Sequence, residues 1–370
     1  RLLIIPMFWP LRGQGLIRGG LFSPNPGRPV REGTDMGFLK AASLKTEQFH
    51  GNISGEIHAR QPEKVMTVSP AAGTGNGADG MKTTPQNKKI IIIGSAVCCL
   101  LILLLSWYQR SWRTMDVILF MGQSNVSGAG GDASQAPELI EGAGYEFRAV
   151  TDPDRLHVLE EPFGENENRG ALDDTEILER KGTMATAFVN AYYEETGTPV
   201  VAISASVGSS SLNGWLNSGR KEEAAARLEE ARECLRKEKI HIRHTYMLWF
   251  QGEADANLKT TGEEYKGMLR QLVSYMEEQG VEACFLIQLG PDLTDPAKHQ
   301  EIMQAQLEIC DEEDDIILVS ELPASLTGEG MKDEGGIHFT QKALNLIGED
   351  AGKNAGAYVA SLSQEAEGTE

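Results

Sequence analysis

Val117 to Met121 is an unbroken succession of five apolar residues, β-branched at its start and held between Asp116 and Gly122. A run that never alternates with polar residues has no solvent side. It therefore reads as a strand buried on both faces, the kind found in parallel sheets covered by helices. The rest of the chain agrees: from Met115 to about Leu362, roughly 250 residues, strand and helix signals alternate with no linker, low-complexity run or internal repeat. Further strands are expected at Pro199–Ser204, His244–Phe250, Ala283–Leu289 and Asp315–Ser320, giving an α/β domain with a five-stranded parallel sheet. Helices are expected from about Met184 to Glu195 with Gly197 as C-cap, over Lys221–Lys237, from a Thr261-x-x-Glu264 capping box to Gly280, after Asp295-Pro296, and from about Gln341 to Leu362. The Gly-, Asp- and Glu-rich stretch from Ser127 to Gly182 reads as a long loop with short elements over the sheet's crevice.

The flanks are of another kind. Residues 1–80 are rich in Gly, Pro, Arg and Ser without a sustained period and read as disordered. Met81-Lys-Thr-Thr-Pro-Gln-Asn-Lys-Lys89 has the form of a natural protein start, which makes residues 1–80 upstream sequence rather than a functional part. Ile90 to Tyr108 is 19 residues without a charge, long enough at about 1.5 Å per residue to cross a hydrocarbon core of about 30 Å. Lys82, Lys88 and Lys89 precede it, and Trp107 and Tyr108 stand where an interfacial aromatic belt would lie. No small-x-small cleavage site follows, so residues 81–114 read as an uncleaved signal-anchor that holds residues 115–362 outside the cytoplasm. Residues 363–370 read as a disordered tail.

Composition narrows the partners. With 54 acidic against 34 basic residues the formal charge is -20, which argues against nucleic acid, whose affinity comes from clustered Lys and Arg. Cys98 and Cys99 lie in the apolar run and Cys234, Cys284 and Cys310 are scattered, a pattern with neither metal-type spacing nor a disulfide framework.

Chemistry gathers at the expected strand ends. In Gly122-Gln-Ser-Asn125, Gly122 allows close backbone approach and lifts Ser124 into the crevice at the carboxyl end of the first strand, where open α/β sheets bind ligands. Ser124 is the candidate nucleophile; a Ser at a strand-to-helix junction also serves as an N-cap, and this stretch alone does not separate the two roles. The second strand runs into Ala205-Ser-Val-Gly-Ser-Ser-Ser-Leu212, where the Gly208 N–H can point at an oxyanion, although a plain Gly/Ser turn reads the same way. The third strand empties into Gln251-Gly-Glu-Ala-Asp255, with Gln251 as a further oxyanion donor and Glu253 or Asp255 as a carboxylate able to hold an imidazole, while simple N-capping carboxylates are the alternative. His338, in Asp333-Glu-Gly-Gly-Ile-His-Phe-Thr340 before the last helix, is the candidate general base.

At Gly122-Gln-Ser-Asn125, Gly208-Ser-Ser-Ser-Leu212, Trp249-Phe-Gln-Gly-Glu-Ala-Asp255 and Gly336-Ile-His-Phe-Thr340 the chain resembles the SGNH hydrolases, specifically the carbohydrate esterases that include sialate O-acetylesterase and certain acetylxylan esterases. The blocks occur in family order over about residues 115–362. The resemblance implies a three-layer α/β/α, flavodoxin-like sandwich and a serine esterase that deacetylates carbohydrate, such as sialic acid or xylan-type substrates, without a cofactor or metal. It also implies Ser124 as nucleophile, His338 as base, and an oxyanion hole from the Ser124 amide, Gly208 and Gln251. Members commonly carry Asp three residues before the His, where this chain has Gly335. Glu253, which matches the Glu of the family's Gln-Gly-Glu block, is then the expected third member, with Glu334 and Asp333 as local substitutes. A glycan-binding relative without catalysis is the alternative, which the missing Asp favours and the retained Ser124, Gln251, Glu253 and His338 oppose.

Overall fold

In the computed structural model the described residues are 98–99, 112–173 and 180–368. Their centre is a seven-stranded sheet. In chain order its strands are β1 (Arg113–Gly122), β2 (Gly144–Arg148), β3 (Asp152–Val158), β4 (Val200–Ser206), β5 (Ile240–Phe250), β6 (Ala283–Ile287) and β7 (Ile316–Ser320). They lie in the order β3-β2-β4-β1-β5-β6-β7. The pairings are parallel except that of β3 with β2, so the sheet is mixed.

The central strand behaves as its composition requires. Val117, Leu119 and Met121 enter one apolar core, Ile118 and Phe120 the other, and all five are at most 1% exposed. On the first face they meet α4 (Arg220–Lys237) through Leu228 and Leu235, α6 (Gly262–Glu278) through Leu269, Leu272 and Met276, and α7 (Gln300–Glu312) through Ile302 and Ile309. On the second they meet α2 (Ala185–Thr196) through Phe188 and Tyr192, and α8 (Gln341–Gly368) through Leu344, Ile347 and Val359. The result is an α/β/α sandwich. Each fully buried Leu, Ile or Phe contributes about 1.5–3 kcal/mol, which fixes β1 between its neighbours. Three short helices lie at strand ends or before longer helices: α1 (Ser124–Ser127), α3 (Leu212–Asn217) and α5 (Glu253–Leu258).

Register decides where the site lies. Gly122 pairs with Ser206 of β4 and Phe250 of β5, so the three central strands end level and deliver Gln123, Val207 and Gln251 to one edge. At the other end of β1 the buried Asp116 carboxylate accepts from the Arg243 guanidinium at 3.0 and 2.6 Å and from the Tyr192 hydroxyl at 2.6 Å, the pairing a charge in that position needs.

The five expected strands are present, and two more are added. β2 and β3 lie in the stretch expected to be loop, which corrects the five-stranded parallel sheet. β3 reads Asp-Pro-Asp-Arg-Leu-His-Val, and charge and proline suit an edge strand while masking the strand signal. The capping box at Thr261 forms as expected, whereas α8 runs on to Gly368 instead of stopping at Leu362. The expected segments at 1–80 and 90–108 lie outside the described residues, Cys98 and Cys99 excepted. Among the described residues no helix is long and apolar enough to cross a membrane.

Candidate active site

At the end of β1 the chain must turn beneath a neighbouring carbonyl. Gly122 has φ +136°, and a Cβ there would lie 2.2 Å from the Phe250 carbonyl oxygen, so glycine alone fits. Gln123 caps α1, and Ser124 is its first residue, in the wall of a cleft of about 340 Å³. Ser124 is therefore not the cap. Its Oγ lies 3.0 Å from Nε2 of His338.

His338 is held by a tight hairpin. Lys332 and Phe339 form an antiparallel bridge, the Asp333 N–H donates to the His338 carbonyl at 2.8 Å, and the chain reverses at Gly336 (φ +72°), whose N–H donates to the Asp333 carbonyl at 3.0 Å. This pairing sets Asp333 and His338 opposite each other, five residues apart in sequence. Asp333 Oδ2 is 3.0 Å from the imidazole Nδ1, while Oδ1 accepts from the His338 N–H at 3.3 Å. An ionised carboxylate only accepts, so the Nδ1 facing it carries the proton and Nε2 is left to accept from the Ser124 hydroxyl. Glu334 is exposed.

The expectation that Glu253 orients His338 is corrected by this geometry. Glu253, 3% exposed, accepts instead from Nδ2 of Asn125 at 2.6 Å. Asp333 lies two residues before the usual acid position at Gly335, and the Gly336 turn takes up that offset, so a carboxylate reaches the imidazole from within the hairpin. Gln251 is corrected as well. Its Nε2 donates to the Ser210 carbonyl at 2.9 Å and to Asp255 Oδ2 at 2.6 Å, and the residue is fully buried rather than presented to the cleft. Burial raises the Asp255 carboxyl above its ordinary range, against the pull of its hydrogen bonds from Gln251, the Leu212 N–H and Thr260. Gln251 and Asp255 thus tie β5 to the Ser-rich turn after β4. Gly208 sits buried in that turn, and Ser209 and Ser211 line the cleft.

Asn125 was not singled out by sequence. Its Oδ1 accepts from the Phe339 N–H at 3.0 Å and its Nδ2 reaches the Ile337 carbonyl at 3.5 Å, so one side chain holds the residues on both sides of His338. The only sequence signal was an amide next to the candidate nucleophile. Of the thiols within the sandwich, burial raises Cys284 well above its ordinary range and pushes Cys234 and Cys310 up to about 11 and about 12, so none of these three is a rival nucleophile. Among the described residues no three His, Cys, Asp or Glu side chains gather as metal ligands would.

Residues 114–356 match the family model described as carbohydrate esterase, sialic acid-specific acetylesterase. The chain belongs to that family. It is a carboxylic ester hydrolase that removes O-acetyl groups from carbohydrate. No curated protein matches it. Solved structures similar to this carbohydrate esterase include a protein from Arabidopsis thaliana at 18% identity, covering 65% of this chain and 98% of that one with a TM-score of 0.48. NanS is 10% identical, with 67% and 98% covered and a TM-score of 0.48. An acetyl-xylooligosaccharide esterase from Geobacillus stearmophilus is 12% identical, with 65% and 93% covered and a TM-score of 0.37.

Proposed function

We propose that this esterase works through an acetyl-enzyme on Ser124, with His338 as general base and Asp333 as the acid that orients it. The observation that carries the reading is the chain of two 3.0 Å contacts, Ser124 Oγ to His338 Nε2 and His338 Nδ1 to Asp333 Oδ2, at the wall of the cleft. His338 Nε2 takes the hydroxyl proton as Oγ attacks the acetyl carbonyl. Asp333 stabilises the imidazolium that forms. As the tetrahedral intermediate collapses, the C–O bond to the sugar breaks and the departing oxygen takes the proton from Nε2. Water, activated in turn by His338, then releases acetate and restores Ser124.

The oxyanion needs donors that are in place beforehand. The Ser124 N–H, first in its helix, has no intrahelical acceptor, and the Gly208 N–H in the turn after β4 is the second proposed donor. Gln251 no longer belongs to this set, since both contacts of its Nε2 lie in the protein.

The substrate is an O-acetylated sugar of the sialic acid or xylan type, and the domain faces outward on an anchor formed by residues 90–108. The family description supports the first, and the uncharged run with its basic and aromatic flanks supports the second. The test is hydrolysis of a chromogenic acetyl ester and then of acetylated sialic acid and xylo-oligosaccharides by the purified chain. Ser124→Ala should abolish turnover, a loss of at least about 10⁴-fold, with an unchanged melting transition. Retained activity in a folded Ser124→Ala protein would remove Ser124 from the mechanism.

A further inference from the structure

We infer that Asn125 and Glu253 form a positioning clamp that sets the distance between nucleophile and base, an inference that rests on the assignment of Ser124 and His338 above. The two catalytic groups come from elements with no covalent reason to stay in register: Ser124 follows β1, and His338 lies 214 residues later in a hairpin. Asn125 bridges them. It is the residue next to Ser124, it is 1% exposed, and its Oδ1 accepts from the Phe339 N–H while its Nδ2 reaches the Ile337 carbonyl. Ile337 and Phe339 flank His338, so a shift of the Asn125 amide moves the imidazole with it.

An amide clamp works only in one orientation, and Glu253 supplies the orientation. A carboxylate can only accept, so the Asn125 NH₂ must face Glu253 Oε1, at 2.6 Å, which leaves Oδ1 for the Phe339 N–H. A flipped amide would set a carbonyl against the carboxylate and an NH₂ against an N–H. Glu253 itself sits at the first turn of α5, following β5, so the clamp refers the His338 hairpin to both central strand ends. Among the described residues its other oxygen, Oε2, is buried without a hydrogen-bond partner, so the bond from Asn125 is the hydrogen bond that holds this carboxylate. Neither residue is catalytic: each acts through His338.

The clamp predicts a reversal of polarity that a merely structural pair would not tolerate. Asn125→Asp sets two carboxylates face to face and should lower kcat on a chromogenic acetyl ester by on the order of 10²-fold, the scale of a misplacement of about 1 Å, with KM within a few-fold. Adding Glu253→Gln supplies an NH₂ to the new carboxylate, whose second oxygen still accepts from Phe339; only the long 3.5 Å contact with the Ile337 carbonyl is not restored. The double variant of the full chain should recover kcat to within about tenfold of wild type. A double variant no faster than Asn125→Asp overturns the clamp, as does a loss that falls on KM. Should Asn125→Asp fail to fold, Asn125→Ala removes the bridge without adding charge and should show the same loss in kcat; unchanged kcat there overturns the inference. If the wild-type chain shows no Ser124-dependent turnover, the reading of the site falls and takes the clamp with it, whereas normal wild-type turnover with unaffected variants removes the clamp alone.

Discussion

The proposed nucleophile and the proposed base are held by two different kinds of structure. Ser124 follows a strand with apolar neighbours on both faces and a parallel ladder on both edges, whereas His338 sits in a hairpin fixed by a single bridge, a glycine turn and a few side-chain hydrogen bonds. Ser124 is 4% exposed, while the side chains of His338 and Asp333 are 24% and 37% exposed. The difference teaches how errors would act. Damage on the strand side should appear first as lost stability, because the core carries it; damage on the hairpin side should appear first as lost rate, because little besides the imidazole depends on it.

The largest loss of stability is expected at the end of β1. Gly122→Ala places a Cβ 2.2 Å from the Phe250 carbonyl oxygen at φ +136°, so backbone must shift. It should cost about 3 kcal/mol or more, seen as a drop of roughly 6–12 °C in Tm. A smaller loss would mean that the strand end is softer than its packing indicates.

Gln251→Ala comes next. It strips a donor from the buried Asp255 carboxylate and from the Ser210 carbonyl, and should lower stability by about 1–3 kcal/mol. The rate per folded molecule should stay within about fivefold, whereas a donor aimed at the oxyanion would cost about 2.7–4 kcal/mol in kcat. Kinetics on the folded fraction separate the two.

The smallest effect belongs to the hairpin's base. Lys332 donates to the Pro291 carbonyl and lies 4.4 Å from the Phe339 ring centroid, and burial lowers its ammonium pKa below 10.5. A base whose folded pKa is depressed binds fewer protons folded than unfolded, so its contribution to stability rises with pH between the folded value and 10.5. Lys332→Met should remove that rise. Urea midpoints of wild type and variant compared on the alkaline side check it, and parallel pH dependence would refute it.

How much could be read in advance follows the same division. The β1, β4, β5, β6 and β7 strands were legible because each is apolar enough to be buried, and Ser124 and His338 were legible because glycines and strand ends flag them. β2 and β3 were not, since a five-residue strand opening on Gly and an edge strand carrying Pro and charge resemble loop. In the sequence Asp333 stands only as a local substitute, because spacing along the chain does not reveal a hairpin in which residues five apart lie opposite. The Gly335-Gly336 pair was the available sign of that reversal. The contacts of Glu253 and Gln251 are hidden in the sequence for a shared reason: a polar residue at a strand end can face the cleft or the protein, and which it does depends on partners such as Asn125 and Asp255 that pattern alone does not pair.

Asp333, and not Glu253, is the proposed partner that governs the imidazole. The most direct measurement is kcat for Asp333→Asn beside Glu253→Gln on one chromogenic acetyl ester, both checked for a native melting transition. Asp333→Asn keeps the shape but offers an NH₂ where an acceptor must hold the Nδ1–H, and kcat should fall by on the order of 10³–10⁴-fold. Glu253→Gln keeps an oxygen for Asn125, and kcat should fall by less than about tenfold. The reverse order, with Glu253→Gln crippled and Asp333→Asn nearly as fast as wild type, would contradict the account.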